Sequence, residues 1–101
     1  MKKIEIFTHS GELFSGNTGE ILTVNIEPSE GETLSAVFMA PDGSSSELIE
    51  VADGRVSIPD EMLASPGRLI AFAVIQTADF RKTIGATSFL IYPAPIIAGG
   101  D

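Results

Sequence analysis

Pro66-Gly67-Arg68-Leu69-Ile70-Ala71-Phe72-Ala73-Val74-Ile75-Gln76 is apolar without interruption from Leu69 to Ile75. Both of its alternation sets qualify for burial: Leu69, Ala71, Ala73 and Ile75 on one side, Ile70, Phe72 and Val74 on the other. A run of this length, opened by Pro-Gly and followed by Thr77-Ala78-Asp79, is a strand and not a helix. Because it wants cover on two faces, it belongs at the centre of a sheet, with the second face covered by the chain itself or by a partner.

Working outward, Thr33–Ala40 alternates, with Leu34, Ala36 and Phe38 on one face and Val37 and Met39 on the other. Glu20–Glu27 places Leu22, Val24 and Ile26 inward and is closed by the turn Pro28-Ser29-Glu30-Gly31. Lys2–Phe7 reads as a short strand with Ile4 and Ile6 facing one way; the Gly-rich segment 8–19 reads as loop, anchored by Leu13 and Phe14. Asp53-Gly54 is a hairpin signal between Glu47–Val51 and Arg55–Ile58. Pro59–Ala64 predicts one helical turn, with Asp60 placed to cap it and Met62 and Leu63 tucked under the sheets. Beyond the central run, Thr83–Tyr92 predicts a long last strand, with Ile84, Ala86, Ser88, Leu90 and Tyr92 opposite Thr83, Gly85, Thr87, Phe89 and Ile91. Pro93-Ala94-Pro95 stops the sheet, since neither proline donates to a ladder.

About seven short strands divided by turn chemistry predict an all-β, antiparallel β-sandwich with at most one short helical turn near 60–64. A closed β-barrel is the structural competitor. Residues 1–93 form a single domain in this reading, 94–101 are a C-terminal tail or linker, and Phe38, Phe72, Phe89 and Leu90 carry the packing.

Six Lys and Arg against fourteen Asp and Glu give a net charge of -8, which argues against nucleic acid and anionic membrane as partners and suits a basic protein surface. The chain has no cysteine, which excludes disulfides and zinc–thiolate sites. Met1-Lys2-Lys3-Ile4-Glu5 opens like a signal peptide but lacks the apolar region behind it, and Leu69–Ile75 is too short to span a bilayer, so synthesis in a cytoplasm without export is expected. His9, the single histidine, sits in a polar loop beside Ser10, a neighbour relation that makes no nucleophile–base pair. Glu20 follows Gly19 where a phosphate-binding loop needs Lys, and Asp42-Gly43 and Asp53-Gly54 lack the alternating oxygen ligands of a calcium loop. No two of Glu27, Glu30, Glu32, Glu47 and Glu50 stand out as a glycosidase pair. Catalytic residues, metal ligands and cofactors are therefore expected to be absent.

The stronger signal is apolar. Val37 and Met39, Ile49 and Val51, Ile70 and Val74, and Phe89 and Ile91 lie opposite another apolar set of the same strand. Either they form an exposed interaction surface, or Leu13, Phe14, Met62 and Ile96-Ile97 fold over them. On the first alternative the partner-binding residues are Ile70, Val74, Phe89 and Ile91, with Arg68 and Arg81 at the strand ends as ion-pair partners.

Val37-Phe38-Met39-Ala40-Pro41-Asp42-Gly43, then Asp53-Gly54-Arg55-Val56-Ser57-Ile58-Pro59, then Met62-Leu63-Ala64-Ser65-Pro66-Gly67-Arg68 resemble the N-terminal domain of phage baseplate upper proteins of siphophages that infect Gram-positive bacteria. Ile70–Val74 and Thr87–Ile91 fit that domain's last two strands, and the resemblance runs over residues 20–93. It implies an Ig-like sandwich that anchors a receptor-binding assembly in the virion through other tail and baseplate proteins, with no catalytic residues; burial of the two-faced central strand between copies would make a homo-oligomer. The family's domain normally leads into a long helical or linker segment, whereas this sequence stops at Asp101. The alternative is a carbohydrate-binding sandwich, for which the sequence offers one tyrosine, Tyr92, and no tryptophan.

Overall fold

The computed structural model describes residues 6–9 and 11–94. Among the described residues eight strands run in the order β1 (Phe7–Thr8), β2 (Leu13–Phe14), β3 (Ile21–Val24), β4 (Thr33–Met39), β5 (Ile49–Glu50), β6 (Arg55–Ser57), β7 (Gly67–Gln76) and β8 (Arg81–Tyr92). A 3₁₀ turn, Asp60–Leu63, precedes β7. The strands form two sheets, β1-β3-β6 and β2-β8-β7-β4-β5. The chain is all-β, as its turn chemistry predicts. Among the described residues no helix is long and apolar enough to cross a membrane.

The uninterrupted apolar run becomes β7, paired on both edges, with β4 and with β8, in the middle of the larger sheet. Leu69, Ala71, Ala73 and Ile75 face the core with Leu34, Ala36 and Phe38 of β4, all buried. The smaller sheet returns Phe7, Leu22, Val24, Val56 and the following Ile58 onto them in one cluster. Cross-strand pairing lines up Ala36, Ala73 and Gly85, three small residues in one row across the larger sheet. Over the end of that row sits Ile6, which occupies the space a Cβ on Gly85 would need. Small residues at the centre thus let the sheets approach, and large ones such as Leu22 and Phe38 fill around them.

Several expectations are corrected. In the first strand Phe7 is buried and Ile6, half-buried, also packs against the core over Gly85, so both contribute; Ile4 lies outside the described residues, as does the tail from Pro95 onward. Leu13 and Phe14 form a strand that pairs parallel with β8 at Ile91 and Tyr92, so the larger sheet is not wholly antiparallel. Asp53 and Gly54 do make a two-residue turn with both φ positive (54 and 72°), closed by hydrogen bonds between Ala52 and Arg55. Yet β5 pairs with β4 and β6 with β3, so this turn carries the chain from one sheet to the other. Asp60 does not cap the 3₁₀ turn: Pro59 holds the N-cap position, and no side chain bonds there. Met62 and Leu63 are buried as expected, and the Leu63 carbonyl accepts from Gly16 N–H at 2.8 Å, tying the segment after β2 beneath the core.

Candidate partner-binding face

The far side of the five-stranded sheet is built by the residues that alternate with the core set. Pairing places them in rows: Met39–Ile70–Ser88, Val37–Phe72–Ala86 and Ser35–Val74–Thr83, with Arg68 opposite Leu90 and Phe14 opposite Tyr92 beyond the first row. Between Ala73 and Val74 the register shifts, because β8 inserts Ile84 as an extra residue. In such a bulge two residues face one, so Thr83 and Ile84 both stand against Val74. Leu90 is 49 % exposed, Ile84 43 % and Tyr92 37 %. Val37, Met39, Ile70 and Phe72 are half-buried beside them, outside the core cluster. The Phe14 and Tyr92 rings meet at 5.8 Å with their planes tilted by 40°. The face carries apolar side chains on four strands, with Ser35, Thr83 and the hydrogen-bonded pair Arg68 and Ser88 among them.

Of its charged groups, Arg68 lies within the face on the middle strand, and Arg81 and Glu50 lie at its end and edge. Arg68 donates from Nη1 to Ser88 Oγ at 3.0 Å and lies across β7 and β8. Arg81 is opposite Gln76 at the far end of the same hairpin. Glu50 is opposite Ser35 on the β5 edge. Asp42 is in the turn after β4, where its Oδ1 accepts from Ser44 N–H (2.9 Å) and Ser44 Oγ–H (2.7 Å). Those two hydrogen bonds hold the Asp42 carboxyl below the usual aspartate range.

Of the six partner-binding candidates, the structure brings Ile70, Val74 and Arg68 together on this face and leaves Arg81 at its end. Val74 is only 5 % exposed, enclosed between Ser35 and the bulged pair. Phe89 and Ile91 are on the other side. Phe89 pairs with Leu69 and packs against the core, and Ile91, opposite Gly67, is 1 % exposed within it. Both leave the list for that reason. Ile49 and Val51 likewise pack against the core and not outward. Conversely Phe72 and Leu90, expected in the core, belong to the outward face. Of the residues expected to cover that face, Leu13 and Met62 are in the core, Phe14 lies at the face's edge, and Ile96-Ile97 fall outside the described residues.

Two polar features lie elsewhere. Glu20 is held from both sides, by His9 Nε2 at 2.6 Å and by Asn17 Nδ2, which donates at 2.7 Å; His9 Nδ1 is 3.3 Å from the Gly11 carbonyl. This clasp pins the loop between β1 and β3. At one end of the sheets an open cleft of about 570 Å³ has an apolar floor (Val24, Ile26, Leu34, Val51), with Glu27 and Asp53 among its walls. Among the described residues no group of three or more His, Cys, Asp or Glu is placed to hold a metal ion.

No protein family, curated protein or solved structure matches the chain.

Proposed function

We propose that this chain is a non-enzymatic assembly module with an Ig-like sandwich fold, docking other proteins through the outward face of its five-stranded sheet. The carrying observation is the exposure of Ile84, Leu90 and Tyr92 in one surface with Ile70 and Phe72, on the side of the sheet opposite the core. Large exposed apolar side chains gathered on one face of a sheet favour a docking surface. Strand order supports the Ig-like assignment. The smaller sheet has β3 between β1 and β6, the larger has β4, β7 and β8 in sequence with β5 outside, and the first stretch of chain divides between the sheets as β1 and β2.

The setting rests on the sequence resemblance: a phage or prophage tail, with other baseplate chains as partners. The test is to purify tails from a phage or prophage encoding the chain, carrying either the natural residue or Ile70→Asp, and to quantify the chain by mass spectrometry. The expected result is stoichiometric incorporation of the natural chain and loss of the variant, which still folds as a soluble domain. Equal incorporation of both, or absence of both, would refute the proposal. The carbohydrate reading keeps one favouring observation, the Phe14–Tyr92 pair at the face's edge. Its rings are tilted by 40° and offer a sugar no flat platform, and a glycan array with no binder would close it.

A further inference from the structure

We propose that the partner on the outward face is a second copy of this chain, the two related by a two-fold axis that runs along the strands and lays the β8 side of each copy over the β5 side of the other. This rests on the assembly reading above and adds the identity and orientation of the occupant.

The distribution of charge on the face carries it. The exposed bases are at one side, Arg68 on β7 and Arg81 on β8. The exposed acids are at the other, Glu50 on β5 and Asp42 in the turn leading away from β4. Two face-to-face sheets have two simple two-fold arrangements. An axis across the strands keeps β8 over β8 and reverses the strand direction, so Arg81 of each copy comes over the Arg68 end of the other and like charges meet. An axis along the strands preserves level and exchanges sides.

Levels can be read from the pairing. Glu50 stands at the row Ser35–Val74–Thr83, and Arg81 lies two residues along β8 from Thr83. Side exchange therefore brings Glu50 of each copy within reach of Arg81 of the other. At the opposite end, Arg68 lies two residues before Ile70, which pairs with Met39, so it is level with the Pro41-Asp42-Gly43 turn. Exchange brings Arg68 over that turn, where Asp42 keeps one carboxylate oxygen outside its bonds to Ser44. Four charge pairs of opposite sign form, and the apolar rows close on each other between them. The net charge of -8 per copy opposes association, but these four groups leave the face itself balanced.

Four strands about 4.8 Å apart and roughly seven residues long give a footprint on the order of 500 Å² per copy, at the small end for a specific interface. Association is accordingly expected to be weak and concentration-dependent. The test is sedimentation equilibrium on the full chain up to about 1 mM, with Arg81→Glu, Glu50→Arg and an equimolar mixture of the two. The natural chain should self-associate, and each variant alone should do so at least tenfold less tightly. The mixture should recover a heterodimer, because both cross-copy pairs are then again of opposite sign.

A natural chain that stays monomeric to the highest concentration, or a mixture that recovers nothing, overturns the proposal. Self-association that survives both variants and Leu90→Asp also overturns it, by placing the contact elsewhere. Dimerisation seen only after truncation beyond Ala94 overturns it too, in favour of the chain's own C-terminal segment. If the natural chain is monomeric while Ile70→Asp is still lost from tails, a different chain occupies the face and the assembly reading stands without the second copy.

Discussion

Phe38 and Phe72 lie diagonally across the neighbouring strands β4 and β7 yet point to opposite sides of the sheet, and truncating each to alanine separates the two faces energetically. Phe38 is fully enclosed, with Ala71 opposite it and the smaller sheet above. Phe38→Ala removes the transfer energy of a buried ring and leaves a cavity that the surrounding strands cannot close, a loss of about 3–5 kcal/mol. Phe72 is half-buried between Val37 and Ala86 on the outward face. Water fills the space its ring leaves, so no cavity term arises. About half of a full ring's burial energy, roughly 1–1.5 kcal/mol, is at stake. Against a total stability of about 5–15 kcal/mol the first variant is severely weakened and the second is not. Urea unfolding in dilute protein, where self-association contributes nothing, measures both losses, provided the slope with denaturant is unchanged. Equal losses for the two variants would refute the assignment of faces.

Leu90→Asp and Ile91→Asp make the same contrast with neighbouring residues: the first should shift stability by about 0.5 kcal/mol or less, and the second should prevent folding, as thermal melts will show. Gly67→Ala meets two obstacles, a φ of +133° and a Pro41 Cβ that would lie 2.7 Å from the new methyl, so a loss of about 2–4 kcal/mol is expected. Gly43→Ala, at φ +94° with nothing nearby, isolates the backbone part, and an equal loss in both would rule out the Pro41 contact. Asp42 has a lowered carboxyl pKa, so its hold on Ser44 is complete above the ordinary aspartate value and is lost as pH falls through the lowered one. The Ser44 amide resonance should therefore titrate with a midpoint below that of an unstructured aspartate and lose the transition in Asp42→Asn.

The inward sets of β3, β4 and β7 were legible because alternation ran cleanly through Leu22 and Val24, through Leu34, Ala36 and Phe38, and through the whole apolar run. The inward face of β7 is less evident from its residues. Ile70, Phe72 and Val74 look more like a core than Leu69, Ala71, Ala73 and Ile75, but volume is shared across the interface. Ala71 and Ala73 are small because Phe38 and the smaller sheet fill the space above them. β8 was ambiguous because both of its sets mix apolar with small residues. Gly85 was the available signal: a glycine in mid-strand marks close approach of something else, here Ile6, and so marks the inward set that includes Phe89 and Ile91. The bulge at Ile84 had no such marker. Two-residue strands such as β2 are too short to show alternation, and the parallel pairing of Leu13 with Ile91 is a tertiary contact that local pattern does not encode.

The most direct test of the outward face is solvent paramagnetic relaxation of isoleucine and leucine methyls, measured in dilute and in concentrated protein. In dilute solution the methyls of Ile84 and Leu90 should relax strongly while those of Leu69 and Ile91 are protected, and only Ile84, Leu90 and Ile70 should gain protection as concentration rises. Protection of Leu90 and Ile84 already in the dilute monomer, or strong relaxation of Ile91, would contradict the account.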